Sequence, residues 1–216
     1  MWKIILKRNL IVKKYFLFFI FSCFSFFINA EQMKETFWGI PFGSDFSIVN
    51  DKMISKGFYL DEKTEKSSDV LECIYKNDGT GKFAETKPNS IMIVISKTKG
   101  MTVACIYWNY LSSLDNRNIE YTNNLAELAK KDPDKAFGII ARTNKEYFST
   151  LINSLNKKYG ANVNLPDTLQ EFSYVVLNSK NLRIAFSLDG LITGGNPFYA
   201  LGYISSLYEE VVNDDV

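Results

Sequence analysis

The sequence predicts an α+β domain in which an antiparallel sheet carries its helices on one face. Three observations lead there. Apolar, β-branched and aromatic runs follow one another across residues 58–110 and again across 172–204, separated by polar turns, as antiparallel neighbours require. Two other segments, near 46–54 and 147–159, space their apolar residues by three and four, the period of a helix with one buried stripe. The order strand, helix, strands is thus read twice, and two such helices laid on one sheet face bury both stripes.

A leader precedes the domain. Lys3, Lys7, Arg8, Lys13 and Lys14 stand there without an acid, an apolar run covers 15–28, and Ile28-Asn29-Ala30 leads into Glu31. Basic flank, apolar centre and small-residue end are the parts of a secretory signal. The flank stays on the cytoplasmic side while the apolar run partitions into the bilayer. The reading is a signal peptide at 1–30, cut after Ala30, and one α+β domain at 31–216 with an insertion at 112–142. The expected address is the periplasm, the cell envelope or the medium. Two rival readings are a retained anchor and a lipidated Cys23. The run is shorter than the ~20 apolar residues of a span, and greasy residues 24–28 follow Cys23 directly. Only through those rivals would the chain touch a membrane.

Charge and composition narrow the function. The leader holds five of the 25 basic residues and none of the 24 acids, so residues 31–216 carry a net charge of −4. A mildly acidic body without a basic block does not suit nucleic acid. The chain contains no histidine. That removes Ser-His-Asp and Cys-His catalysis, histidine acid–base chemistry and every histidine metal site. Carboxylate, lysine or tyrosine chemistry and an oxygen-only cation site remain. No catalytic set, cofactor or metal site is expected.

Taken in order, residues 36–42 predict a strand broken at Pro41 and Gly43. Ser44 or Asp45 then caps a helix with Phe46, Val49 and Met53 as its stripe, widened by Ile54, and Gly57 ends it. Strands are predicted at 58–60 and 70–75, a loop at 77–81, and a central strand at 91–96, apolar on both faces. After a turn at 97–100, residues 101–110 form the longest strand. The polar insertion holds a short helix at Leu125, Leu128 and Ala129 that must stop before Pro133, and a turn or two at 136–141. Thr143-Asn144-Lys145-Glu146 reads as a capping box. It opens a helix with Tyr147, Phe148, Leu151, Ile152, Leu155 and Tyr159 on one face, closed at Gly160. Three strands follow, at 172–177, 182–188 and 199–204, and an acidic tail at 213–216.

Cys73 and Cys105 sit in similar strings, Cys-Ile-Tyr-Lys-Asn and Cys-Ile-Tyr-Trp-Asn. In an oxidising compartment such a pair invites a disulfide. If the strand at 91–96 lies between theirs, two strand spacings of ~4.8 Å put them beyond the ~7 Å limit for bridged Cα atoms. If it is displaced, the bond is easy. The alternative is two small buried residues.

Trp38-Gly39-Ile40-Pro41-Phe42-Gly43-Ser44 is the most distinctive string. It resembles the F-x-G-I-x-W/F-G-S/T opening of many exported bacterial proteins of unknown function. In those a helix follows, then strands, then a later helix ending in Lys-Tyr-Gly, here Lys158-Tyr159-Gly160. The insertion departs from their compact pattern. The resemblance implies a fold and an exported address, and it carries over no catalytic residue. Residues 194–197, Gly-Gly-Asn-Pro, lack the spacing of a phosphate cradle and read as a turn. Asp78, Asp132 and Asp134 sit in loops without EF-hand spacing, and Asp61, Glu62 and Glu65 read as a solvated loop.

Tyr107, Trp108 and Tyr110 form the candidate binding surface. On a strand Trp108 and Tyr110 share one face and Tyr107 takes the other, so part of this cluster must be core. The expected function is a non-enzymatic binding or accessory protein of the cell envelope, with another protein or a small ligand as partner. The alternative is a carboxylate-dependent hydrolase or carbohydrate-active enzyme, which needs a cleft with two acids close together.

Overall fold

The computed structural model describes residues 35–114, 117–190 and 197–208. The leader with Cys23, the acidic tail and most of the Gly-Gly-Asn-Pro turn lie outside them. The architecture is α+β. A two-stranded hairpin, β1 (Thr36–Phe37) and β2 (Ile40–Pro41), precedes helix α1 (Phe46–Ser55). A four-strand meander follows: β3 (Phe58–Glu65), β4 (Val70–Asn77), β5 (Ser90–Ser96) and β6 (Gly100–Asn109). Helices α2 (Ile119–Lys131), α3 (Pro133–Tyr147) and α4 (Ser149–Tyr159) come next. A second meander closes the fold: β7 (Phe172–Asn178), β8 (Leu182–Asp189) and β9 (Phe198–Ser205).

All seven long strands join one antiparallel sheet in the order β3-β4-β5-β6-β9-β8-β7. The two meanders meet through their last strands, Val103 opposite Ile204 and Asn109 opposite Phe198. Each meander follows a helix, α1 or α4. The second has no strand ahead of its helix, so the repeated unit is helix plus meander.

One sheet face holds the main core. Val49 and Met53 of α1 and Leu151, Ile152 and Leu155 of α4 pack with Phe37 and Ile40 of the hairpin onto Ile91, Ile93, Ile106, Trp108, Phe186 and Leu201. β5 is buried on both faces, as its sequence requires. Helices α2 and α3 form a smaller cluster with Leu114, Leu125, Ala136 and Ile140.

The first expected strand is instead a hairpin. Trp38 and Gly39 both take positive φ (52° and 78°), so the chain reverses between Phe37 and Ile40. A tryptophan in this region is strained. Its ring is held edge-on between Phe58 (5.8 Å) and Phe83 (5.2 Å), with the Lys56 ammonium 4.4 Å above it.

Asp45 caps α1, accepting from the Ile48 amide at 3.0 Å, and Gly57 (φ 83°) follows its end. Ile54, however, is 56% exposed and does not widen the stripe. The chain next needs Gly100 (φ 76°) because a Cβ there would lie 2.2 Å from the Gly43 carbonyl oxygen. At that point Gly43 and Ser44 bond Met101 like a short extra strand.

The charged run after Leu60 is strand, not loop. β3 continues to Glu65 because it is the sheet edge, where charged side chains stay wet while the backbone pairs. Asp61 pairs with Lys76 at 2.7 Å and Glu65 with Lys97 at 3.0 Å. Asp132 does lie in a loop, the link between α2 and α3, where it caps α3 by accepting from the Lys135 amide at 3.1 Å; Asp134, however, lies in that helix.

The capping box does not form. Pro133 starts α3 a full three turns earlier than the box requires. Thr143 therefore lies inside the helix and its hydroxyl donates to the Ile139 carbonyl at 2.9 Å. The break falls at Phe148 (φ −88°, ψ 2°), which caps α4 without a side-chain hydrogen bond. α4 ends at Gly160 in the left-handed region (φ 65°).

Cys73 and Cys105 are not bonded to each other. β5 lies between their strands, and their side chains point to opposite faces, Cys73 into the main core and Cys105 into the other cluster. Burial pushes the Cys73 thiol up to about 11 and the Cys105 thiol up to about 12.

Candidate functional site

The three aromatic residues divide as their strand dictates. Trp108 is fully buried in the main core. Its indole Nε1 donates to the Thr86 hydroxyl at 3.0 Å. Thr86 closes a tight turn in which Ala84 (φ 46°) and Glu85 (φ 66°) both take left-handed backbone. Phe83 and Thr86 exchange backbone hydrogen bonds at 2.9 and 3.0 Å across that turn. Trp108 thus presents no surface to a ligand; it packs, and it anchors a strained loop. Tyr110 packs on the same cluster, half-buried. Tyr107 faces the other way.

That second face differs from the first. Its cluster comprises Met92, Val94, Val103, Cys105 and Ala200, flanked by half-buried Val70, Ile74, Tyr107, Phe198 and Ile204. Helices α1 to α4 contribute nothing to it; Tyr208, in a helical turn that begins at Leu207 just past β9, is its one member from outside the strands. Tyr107 meets Phe198 edge-on at 5.5 Å. Burial holds the Tyr107 hydroxyl well above the ordinary tyrosine range, and the neighbouring Cys105 adds to the shift. Asp189 lies at the same end, across from Phe198. Burial raises its carboxyl although Ser187 Oγ donates to it at 2.7 Å, and Glu171 raises it further.

Toward β7 the face becomes shallow. A hollow of 50 Å³ is lined by Val175, Arg183, Ala185, Gly202 and Ile204, room for about one or two waters. The exposed side chains of β7 on this face are Ser173, Val175 and Asn178, and Val175 is 65% exposed. Beyond β7 the sheet ends. Among the described residues, no backbone hydrogen bond joins β7 to anything but β8.

The two sheet edges are unlike. β3 carries Asp61, Glu62, Lys63 and Glu65 and a bulge at Leu60/Glu62. β7 reads Phe-Ser-Tyr-Val-Val-Leu-Asn, without a charge or a proline. Its protection is a bulge between Val175 and Leu177. Sequence reasoning identified this strand but not its place at the edge. The signal available was the missing charge, which an edge strand ordinarily carries.

Among the described residues no three of Cys, Asp and Glu gather as a metal site, and no helix is long and apolar enough to cross a membrane. The chain matches no family model, no curated protein and no solved structure.

Proposed function

We propose that this chain is an exported protein of the cell envelope that works by binding, as an accessory domain, through the sheet face opposite α1 and α4. The observation that carries this reading is the asymmetry of the sheet. Among the described residues, helices α1 to α4 serve the other side or the insertion, while this side presents Ile74, Tyr107, Phe198, Ile204 and Val175 in one apolar band. Contiguous apolar surface of this kind is what partner proteins and small ligands use. The leader and the −4 charge of residues 31–216 support an exported site of action away from nucleic acid.

A photo-crosslinking amino acid at Phe198 or Ile74, introduced into the protein in its own cells, tests the reading. Adducts from these positions are expected, and none from Ile48 or Phe137, which are exposed apolar residues on α1 and α3. Equal labelling from both sets, or none from the sheet, overturns it.

The carboxylate-hydrolase alternative keeps one supporting observation, the raised carboxyl of Asp189 with the Glu171 charge acting on it. The hollow on this face lies further along β8, at Arg183 and Ala185. Glycosidase activity of the purified chain that is lost in Asp189→Asn would favour this alternative.

A further inference from the structure

We infer that the segment following Tyr208, anchored by Val211 and Val212, docks on the sheet face opposite α1 and α4 and closes it until a partner displaces it. The partner rests on the binding reading above; the inference adds what regulates that face. A sheet face made for water alternates its polar side chains with the buried ones behind it. This face is apolar across its centre, with Met92 and Val94 on β5, Val103 and Cys105 on β6 and Ala200 on β9. Val103 and Cys105 are each 1% exposed, although α1 to α4 contribute nothing over them.

The end of β9 delivers the segment to this place. The Ser206 amide donates to the Asn181 carbonyl at 2.9 Å, and the Leu207 amide to the Ser205 hydroxyl at 3.3 Å. Leu207 then lies beside Gly43, near the turn that carries Lys99. A helical turn begins there, and its second residue, Tyr208, already packs on the apolar cluster. Val211 and Val212 follow Tyr208 at three and four residues, so continued helical spacing sets all three on one side. Glu209, Glu210 and Asp214 fall away from that side. Asn213, Asp214 and Asp215 are poor helix formers, so the apolar side closes at Val212 and the acids stay wet. Four helical residues advance ~6 Å, a little more than one strand spacing of ~4.8 Å. Laid across the strands, the two valines reach from β9 to Val103 and its neighbour Cys105 on β6. A contact of one tyrosine and two valines is small beside the ~1,200–2,000 Å² of a standard interface. A partner that fits the whole band therefore outcompetes it.

The test uses the whole exported chain and its two thiols. Val211→Asp combined with Val212→Asp should speed alkylation of Cys105 at least tenfold. Cys73, in the main core, should keep its rate, which a general loss of folding would not allow. An unchanged Cys105, or equal acceleration of both thiols, overturns the proposal. A photo-crosslinker at Val212 should label the β6 peptide holding Val103 within the same chain; label elsewhere, or none, also overturns it. Crosslinking from Phe198 in cells separates the levels of failure. More partner adduct from the double variant supports the proposal. Adduct that the variant leaves unchanged sinks the displacement and spares the binding reading. No adduct from either chain sinks the binding reading and the displacement with it, while the Cys105 rate still decides what covers the face.

Discussion

The side-chain amide of Asn144 donates to the Tyr199 hydroxyl at 3.0 Å and so ties the last turn of α3 to β9. The same amide nitrogen donates to the Tyr110 carbonyl at 3.0 Å, and the Ser113 hydroxyl donates to its oxygen. Asn144 is 1% exposed, yet its donors and its acceptor are used. It is the polar joint between the insertion and the sheet. Buried polar groups are tolerable only when satisfied.

Asn144→Ala should therefore strand three partners at once, the buried Tyr199 and Ser113 hydroxyls and the half-buried Tyr110 carbonyl. The expected loss is at least about 2 kcal/mol in urea unfolding, because each unsatisfied group costs roughly 1–3 kcal/mol. Asn144→Asp keeps the acceptor for Ser113 and loses both donors, so it should also destabilise.

Thr143 and Asp132 form a contrasting pair. Inside α3, Thr143 bonds back to Ile139, which does little for a helix. Thr143→Ala should change stability by less than about 0.5 kcal/mol, since alanine is the better helix former. Asp132→Ala removes the observed cap and should cost about 0.5–2 kcal/mol. Leu151, 1% exposed on α4, should lose ~2–5 kcal/mol on replacement by Ala. Denaturant titration ranks the three.

Cys73 and Cys105 should each be recovered as a free thiol. Peptide mapping after alkylation of the unfolded protein should find an adduct on both, and a peptide linking the two would contradict the sheet order. In the folded protein alkylation should be slow, because burial lifts both thiols well above neutral pH.

Asp189 should make stability depend on pH. Burial raises its folded pKa above the unfolded value of about 3.9. The folded state therefore holds the proton more tightly. The stability this contributes is complete below the unfolded pKa and is lost as pH rises through the folded one. Asp189→Asn keeps an acceptor for Ser187 and cannot ionise. Its unfolding midpoint should exceed the parent's at pH 7, and the difference should vanish below about pH 4. An unchanged difference across that range would mean the carboxyl titrates alike folded and unfolded.

The strands of the two meanders were legible because their runs are apolar and their turns polar, and β5 announced its central place by being apolar at every inner position. The misreadings share a cause: local pattern met a long-range constraint. Thr143 and Glu146 have the spacing of a box, but Pro133 and the Asp132 cap had already begun the helix. Trp38 reads as a strand residue, yet the rings of Phe58 and Phe83 hold it in a reverse turn. The charges after Leu60 look like loop until Lys76 and Lys97 supply partners across the edge. The candidate surface was legible only in part. Alternation separated Tyr107 from Trp108, but which face would lie away from α1 and α4 depends on how the whole chain winds.

The junction of β6 with β9 has a consequence for assembly. Val103 must wait for Ile204, so nearly the entire chain has to be present before the middle of the sheet is sealed. As the polypeptide emerges amino end first, α1 and its meander can associate early, with β6 temporarily outermost. That strand is the longest of the sheet and carries Val103, Ile106 and Trp108, a sticky border in a half-made protein. Contacts this distant in sequence slow folding. The nascent chain is therefore most vulnerable to clumping in the interval before its final strand arrives.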